Sequence, residues 1–199
     1  VNLRPVRLLH PDLCPLKPRP DGIRRAIDLV IFRENTEGAY VGLGGNFKEG
    51  TRHEVAINED LNTYHGVKRI VRAAFAHAVE HQRHRVTMSD KANAMPAVGS
   101  LWRRVFEEVG GAYPDVGRSA MYVDAAAMDL VRRPERYHVV VTSNLFGDIL
   151  SDLAAEITGG LGLAPSVNLH PGRHALFEPV PGPPPDNPGT GTANPLGSI

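Results

Sequence analysis

The chain of 199 residues lacks several features that are typical of particular protein classes, and the first of these is a set of cysteines. Its one cysteine, Cys14, cannot form a disulfide bond within the chain, which suits a reducing compartment. The sequence has no apolar run of membrane-spanning length and no signal peptide at its start, so we expect a cytoplasmic protein outside membranes. The 22 basic residues balance 22 acidic ones, which argues against a nucleic-acid-binding protein that neutralises phosphates.

Apolar runs typical of strands alternate with segments of helical periodicity between residues 28 and 157. In the clearest helix, residues 66–82, apolar side chains recur on one face. The same reasoning predicts strands at residues 85–89, 118–123 and 138–142, and helices at 98–109, 125–131 and 144–157. This alternation predicts an α/β fold in which helices cover a sheet.

The pattern changes between residues 42 and 58, where glycines are frequent and apolar residues alternate with polar ones. Such a segment predicts a β-hairpin or a protruding arm. The composition changes again after residues 159–162, and from residue 170 onward helix formers are sparse and proline is dense, up to residue 188.

Two carboxylates, Asp148 and Asp152, lie four residues apart in the first turns of a predicted helix. Residues with this spacing share one helical face, so both side chains can point to the same place. Two like charges on one face repel each other unless a cation lies between them, and oxygen ligands suit Mg²⁺ or Mn²⁺. The alternative is a solvated helix start, in which Asn144 caps the helix and the acidic residues complement its dipole.

Three further charged residues, Arg33, Lys91 and Asp124, each come directly after an apolar run that predicts a strand. In open α/β sheets, the groups at the carboxyl ends of the strands converge on the ligand crevice. We therefore expect these residues and Asp148 to belong to one functional region.

The segments that carry these residues occur together with two others, Asn2-Leu-Arg-Pro5 and Phe177-Glu-Pro-Val180. In this order they closely resemble the β-decarboxylating 2-hydroxyacid dehydrogenases, which include the 3-isopropylmalate, isocitrate, homoisocitrate and tartrate dehydrogenases. The resemblance runs from end to end and implies an isopropylmalate dehydrogenase-like layered α/β fold, with a mixed sheet flanked by helices and a dimerisation arm. It also implies that an upstream segment and a downstream helical tail of the family lie outside this chain.

The resemblance implies metal-dependent oxidative decarboxylation of a 2-hydroxy dicarboxylic acid, with hydride transfer to NAD. We expect 3-isopropylmalate as the substrate. Tartrate, malate and homoisocitrate dehydrogenases stay open as alternatives, because the family's substrate-selecting helix would lie upstream of Val1. The implied partners are the small-molecule acid and a second copy of the chain, since the family's active sites are shared across a homodimer.

The resembled family binds Mg²⁺ or Mn²⁺ with three aspartates. Two of them match Asp148 and Asp152, and the third, which the partner subunit supplies, matches Asp124. The metal acts there as a Lewis acid that stabilises the enolate. Lys91 matches the group that removes the hydroxyl proton, again across the interface, and Tyr40 matches the acid that protonates the enolate carbon.

Further positions of this sequence match residues that bind the substrate carboxylates and the cofactor in the resembled family. Arg4 and Arg33 match carboxylate clamps, for which the guanidinium fork has the suitable geometry. The matching cofactor positions are Asn93, Gly182, Asp186 and Asn194. Asp186 matches a residue that bonds the adenosine ribose, and its charge would repel a 2′-phosphate, which favours NAD over NADP.

By resemblance, residues 1–158 form the substrate, metal and dimerisation domain, and residues 159–199 form part of the cofactor-binding domain. The cofactor loop departs from the family at Pro181, Pro183 and Pro184, which replace a histidine, a serine and an alanine. Each proline removes a backbone N–H donor near the cofactor. By resemblance, half of the cofactor domain is also missing from this chain, so we expect the 199 residues by themselves to be poorly active or inactive.

Two alternatives of other classes stay open. In the first, the chain is an inactive, truncated homologue that acts only as a structural or interaction protein. In the second, His77-Ala-Val-Glu-His81 fits the H-x-x-E-H pattern of a zinc peptidase. The two histidines, however, flank the apolar stripe of the predicted helix, and no other segment offers a convincing further ligand.

Overall fold

The computed structural model describes residues 1–18, 26–180 and 194–198. Helices cover the sheet in the described chain, which confirms the predicted α/β fold. The strands are β1 (Asn2–Arg7), β2 (Asp28–Arg33), β3 (Gly44–Phe47), β4 (Val55–Asn58), β5 (Arg85–Asp90), β6 (Gly117–Tyr122), β7 (Val139–Thr142), β8 (Pro165–His170) and β9 (His174–Pro179). The α-helices are α1 (Tyr64–Glu80), α2 (Pro96–Gly110), α3 (Val123–Arg132) and α4 (Asn144–Glu156).

The main sheet has seven strands in the order β6-β5-β7-β2-β1-β8-β9. Strands β6, β5, β7 and β2 run parallel, whereas β1 is antiparallel to both β2 and β8. All four residues of β7 are buried. A central parallel strand is covered on both faces, which explains why Val139–Thr142 is an uninterrupted β-branched run.

The helices bury the two faces of this sheet in two separate apolar clusters. Because successive strand residues point to opposite faces, Val30 and Phe32 of β2 join the cluster with α1 and α2. Leu29 and Ile31 join the other cluster, which contains residues of α3 and α4. In the first cluster Phe75 is fully buried, with its ring centroid 5.4 Å from that of Phe106. Truncating such a side chain costs about 3–5 kcal/mol, so this cluster holds α1 and α2 firmly in place.

The predicted helices are confirmed, with shifts of a few residues at their ends. Helix α1 begins at Tyr64, earlier than expected, because the Thr63 hydroxyl accepts a hydrogen bond from the Gly66 N–H at 3.1 Å. Helix α2 begins at Pro96, whose missing N–H costs nothing at a first helical position. In α4 the N-cap position belongs to Ser143, so the interpretation of Asn144 as the N-cap is wrong.

The hairpin predicted between residues 42 and 58 is present as the antiparallel pair β3 and β4. Every residue of both strands is exposed, and Phe47 and Val55 each leave more than half of their surface uncovered. The pair forms an apolar arm that the rest of the described chain does not cover.

Residues 165–179 form β8 and β9, two strands that the sequence analysis does not predict. Strand β8 pairs with β1 at Asn2 and Leu3, so the main sheet continues across the predicted domain boundary at residue 158. The division into residues 1–158 and 159–199 stays a prediction. None of the helices in the described ranges is long and apolar enough to cross a membrane.

The histidines of the H-x-x-E-H pattern lie at the end of α1. The ring of His77 meets Phe32 edge-on at 5.2 Å and lies 4.1 Å from the ring of His81. In the part of the chain that the structure describes, no third His, Cys, Asp or Glu joins them in a group that could hold a metal ion. His77 has the surroundings of a packing residue, and the zinc-peptidase interpretation gains no support.

We predict that His77 makes the fold less stable below about pH 6.5. Burial, and then nearby His81 and Arg83, lowers the pKa of His77 from 6.5 to about 4. The unfolded chain therefore binds the proton more tightly. Because His77 is only half-buried and solvent screens its charge, the free energy of unfolding should fall by about 1–2 kcal/mol between these two pH values, less than the full shift implies. Urea denaturation should show this loss in the wild type and much less of it in His77→Gln. Equal pH dependence in His77→Gln and in the exposed-arm control His53→Gln would contradict the prediction.

Candidate functional site

The carboxyl ends of β2 and β7 bring Arg33 against the first turn of α4. The two strands are parallel neighbours, and Arg33 pairs in register with Thr142, which is followed by the start of α4. Gly147 permits the close approach, because a Cβ there would lie 2.6 Å from the Cγ of Arg33. A glycine at the fourth residue of α4 is therefore a steric requirement of the site.

Arg33, Tyr40 and Asp148 form the centre of this site. The Arg33 Nη1 and the Asp148 Oδ1 form an ion pair, and the Tyr40 hydroxyl donates a hydrogen bond to the other oxygen, Oδ2, at 2.7 Å. That bond, followed by burial, raises the pKa of Tyr40, because the neutral phenol is the form that can donate. The structure thus brings together three of the residues that the sequence indicated.

Arg4 of β1 faces the same open cavity, of about 280 Å³. The residues that line it are Asn2, Arg4, Arg33, Asn35, Tyr40, Asn144, Asn168 and Glu178. The Arg4 Nε donates to the Asn2 Oδ1 at 2.8 Å, whereas its Nη1 is buried without a hydrogen-bond partner. Burial, and then the Arg33 charge, lowers the pKa of Arg4. Two guanidinium groups with a spare buried donor form a site that favours a ligand with carboxylate groups.

Asp152 lies one turn beyond Asp148 on α4. Burial, and then the Asp148 carboxylate, raises the pKa of Asp152. Its Oδ1 is buried without a hydrogen-bond partner, so this oxygen has lost its hydrogen bonds to water and no protein group replaces them. Two oxygen-donor side chains on one turn, one of them with an unsatisfied buried oxygen, fit a hard divalent cation such as Mg²⁺ or Mn²⁺.

Lys91 and Asp124 form a separate pair. The Lys91 Nζ lies 2.8 Å from the Asp124 Oδ1, and the Asp124 side chain is 61% exposed. The hydrogen bond from Lys91 lowers the pKa of Asp124. Within residues 1–18, 26–180 and 194–198, no three acidic, histidine or cysteine side chains gather into a metal-binding group. One chain alone therefore does not bring Asp124 to Asp148 and Asp152.

Of the predicted cofactor residues, the structure describes Asn93 and Asn194. Asn93 is exposed in the turn after β5. The side-chain oxygen of Asn194 accepts a hydrogen bond from the Leu196 N–H at 3.0 Å, which caps a short 3₁₀ turn. Gly182 and Asp186 lie outside the described residues, as do the three prolines of the loop.

Sequence reasoning missed the role of Asn144 in this site. Its Oδ1 accepts a hydrogen bond from the Arg33 Nε at 2.9 Å, and its Nδ2 donates to the Glu37 carbonyl at 2.8 Å. The preceding residue, Ser143, is equally suited to an N-cap position. Assigning the N-cap to Ser143 would have left the Asn144 side chain available for a role in the site. On the cavity wall, the amides of Asn2 and Asn35 both donate to the Asn168 Oδ1, at 3.0 and 2.8 Å, and these three residues form no recognisable pattern in the sequence.

We predict that Asp152→Asn stabilises the metal-free protein by about 0.5–1 kcal/mol, because it removes a partly buried charge that Asp148 repels. The same change should abolish the increase in melting temperature on adding Mn²⁺. Thermal unfolding with EDTA and then with Mn²⁺ measures both effects, with the exposed Glu156→Gln on the same helix as the control. A metal-free Asp152→Asn that melts below the wild type, or that keeps its Mn²⁺ response, would rule out this interpretation of Asp152.

Comparisons with known proteins agree with this architecture. The family model described as isocitrate/isopropylmalate dehydrogenase matches residues 1–199. The 3-isopropylmalate dehydrogenase of Thermobifida fusca is 47% identical over 202 residues, which cover 100% of this chain and 56% of that protein. That of Beutenbergia cavernae is 49% identical over 201 residues, with the same coverage. The chain thus spans about half the length of these curated relatives.

Solved structures give the same result. A crystal structure of isocitrate dehydrogenase from Methylococcus capsulatus matches with a TM-score of 0.84 and 38% identity, covering 100% of this chain and 56% of that one. The TT0538 protein from Thermus thermophilus matches with a TM-score of 0.85 and 40% identity, covering 99% of this chain and 38% of that one. The resemblance drawn from the sequence motifs is therefore confirmed, and the chain belongs to the isocitrate/isopropylmalate dehydrogenase family.

Proposed function

We propose that the protein carrying this chain catalyses the oxidative decarboxylation of a 2-hydroxy dicarboxylic acid, with hydride transfer to NAD. The observation that carries the proposal is the placement of Arg4, Arg33 and Tyr40 around one cavity, with Asp148 bonded to two of them. The names of the relatives support 3-isopropylmalate as the acid. Tartrate, malate and homoisocitrate are the competing substrates.

Arg4 and Arg33 would bind the carboxylates of the substrate and orient its hydroxyl-bearing carbon. Asp148 and Asp152 would hold Mg²⁺ or Mn²⁺, which supplies Lewis-acid polarisation of the hydroxyl and later carbonyl oxygen when bound. Arg33 is only 12% exposed, so its guanidinium is pre-positioned and loses little freedom on binding. A doubly negative ligand suits a site in which two cationic side chains already face one cavity.

Two proton transfers would be performed by side chains of the protein. Lys91, in its neutral amine form, would accept the proton of the substrate hydroxyl during hydride transfer, and Tyr40 would donate a proton to the carbon left after loss of CO₂. Tyr40 lines the cavity and is 54% exposed, and its hydroxyl already acts as a hydrogen-bond donor to Asp148. This geometry suits a phenol that delivers a proton.

A homodimer would complete the site. Lys91 and Asp124 form their own pair at the ends of β5 and β6, and Asp124 is exposed to contact from a second molecule. The exposed apolar arm of β3 and β4 gives a second reason for self-association, because uncovered apolar surface favours a partner. The partner subunit's Lys91 and Asp124 would then enter the site of Arg33, Tyr40 and Asp148.

NAD would be bound by Asn93, Gly182, Asp186 and Asn194, with Asp186 favouring NAD over NADP. Pro181, Pro183 and Pro184 would weaken this binding, because each removes one N–H donor. The 199-residue chain covers 56% of the length of these relatives, so by itself it would show little turnover. Activity should therefore be measured on the protein as its gene encodes it.

The substrate and metal assignments predict a specific activity. With NAD and Mn²⁺, the protein should produce NADH from 3-isopropylmalate faster than from tartrate, malate, isocitrate or homoisocitrate. Asp148→Asn should lower kcat/KM by on the order of 10²- to 10³-fold, the scale on which removal of one group that stabilises developing charge acts. The exposed Asp115→Asn serves as the control. If no acid is oxidised although the protein is folded and binds Mn²⁺, the structural alternative replaces the enzymatic one.

The shared-site assignment predicts complementation between two inactive variants. Tyr40→Phe and Lys91→Met should each have low activity as homodimers. After unfolding and refolding together in equal amounts, half of the dimers are mixed and carry one intact site, so about a quarter of the wild-type activity should return. If all site residues came from one chain, the mixture would stay as inactive as the two variants.

A further inference from the structure

We propose that Asn144 is a positioning residue that fixes the direction of the Arg33 guanidinium and the placement of the segment carrying Tyr40. The proposal rests on the proposed function and adds to it a residue that contacts both Arg33 and this segment. The supporting observation is the set of hydrogen bonds made by the side-chain amide of Asn144, which is only 4% exposed.

The amide of Asn144 is used at both ends. Its Oδ1 accepts from the Arg33 Nε at 2.9 Å, while the Arg33 Nη1 pairs with Asp148. A guanidinium held at two of its three nitrogens has a fixed plane, whereas one held only at its tip could rotate about its long side chain. Asn144 therefore determines how Arg33 presents its charge to the cavity.

The other end of the amide fixes the segment that leads to Tyr40. The Nδ2 donates to the Glu37 carbonyl at 2.8 Å. The next residue, Gly38, has φ +86°, and a Cβ there would come within 3.0 Å of the Asn144 Cβ. The Gly38 N–H also donates to the Leu61 carbonyl at 2.7 Å. The segment is thus anchored to the start of α4 at Glu37, three residues before Tyr40.

Only an asparagine meets both requirements at this point. Arg33 needs an acceptor and the Glu37 carbonyl needs a donor, and the short carboxamide supplies both. Aspartate would keep the acceptor but would place a second oxygen against the Glu37 carbonyl. Alanine would leave the Glu37 carbonyl and the Arg33 Nε without these partners, which misaligns the two groups.

The test compares Asn144→Ala and Asn144→Asp with Ser143→Ala in the protein as its gene encodes it. Ser143 is the matched control, because it is the adjacent buried residue and its hydroxyl has no hydrogen-bond partner in the structure. Both Asn144 variants should lose on the order of 10²-fold in kcat/KM for 3-isopropylmalate, the scale of an ångström-sized misplacement. Ser143→Ala should stay close to the wild type, and Mn²⁺ affinity by calorimetry should change by less than about threefold in all three.

A double-mutant cycle separates positioning from general damage to the fold. In an Arg33→Lys background the side chain no longer offers an Nε to Asn144, so Asn144→Ala should lose only the part that acts through the Glu37 carbonyl and should have a smaller further effect than in the wild type. Equal losses in both backgrounds would overturn the proposal. If the wild type oxidises none of the acids, the proposed function fails, and crystal structures of the variants decide the inference. Unchanged positions of the Arg33 guanidinium and the Tyr40 hydroxyl in Asn144→Ala would then reject it.

Discussion

Two carboxylates on one turn of α4 impose the constraint on which the rest of this site depends. The charge of Asp148 is balanced by Arg33 and by a hydrogen bond from Tyr40, whereas Asp152 keeps a buried oxygen without a partner. Placing such groups together at the carboxyl ends of the strands is costly unless a cation or ligand offsets the cost. Gly147 also builds the site at a cost to the stability of α4. Its missing side chain lets Arg33 come close, but glycine has a low helix propensity. Residues that weaken the fold are thus the ones that build the site.

The candidate site residues form two groups within one chain. The cavity-lining group of Arg4, Arg33 and Tyr40 is assembled within the chain, together with the α4 carboxylates. The pair of Lys91 and Asp124 is assembled too, but it stands apart, and Asp124 is exposed. A dimer would join the two halves, and the uncovered apolar arm of β3 and β4 provides a physical reason for it. The proposed chemistry and the proposed assembly are therefore one claim.

The sequence predicted the elements whose signals are local. The helical period of residues 66–82 and the β-branched run of β7 were sufficient because helix packing and strand burial impose those patterns directly. Strands β8 and β9 could not be predicted, because their stability comes from pairing with β1, about 165 residues away in sequence. Asn144 was misassigned for the same reason. Its partners, Arg33 and Glu37, lie more than 100 residues away, and only the folded chain shows that the amide joins them.

We propose that a divalent cation bound by Asp148 and Asp152 joins two subunits in one active site. Anomalous diffraction from crystals grown with Mn²⁺ tests it most directly, because it locates the ion without any assay. We predict one strong peak within about 2.0–2.3 Å of oxygens from Asp148, Asp152 and the partner subunit's Asp124, the distance range of hard oxygen-ligated cations. A peak elsewhere, or an ion bound by one subunit with Asp124 remote from it, would contradict the account.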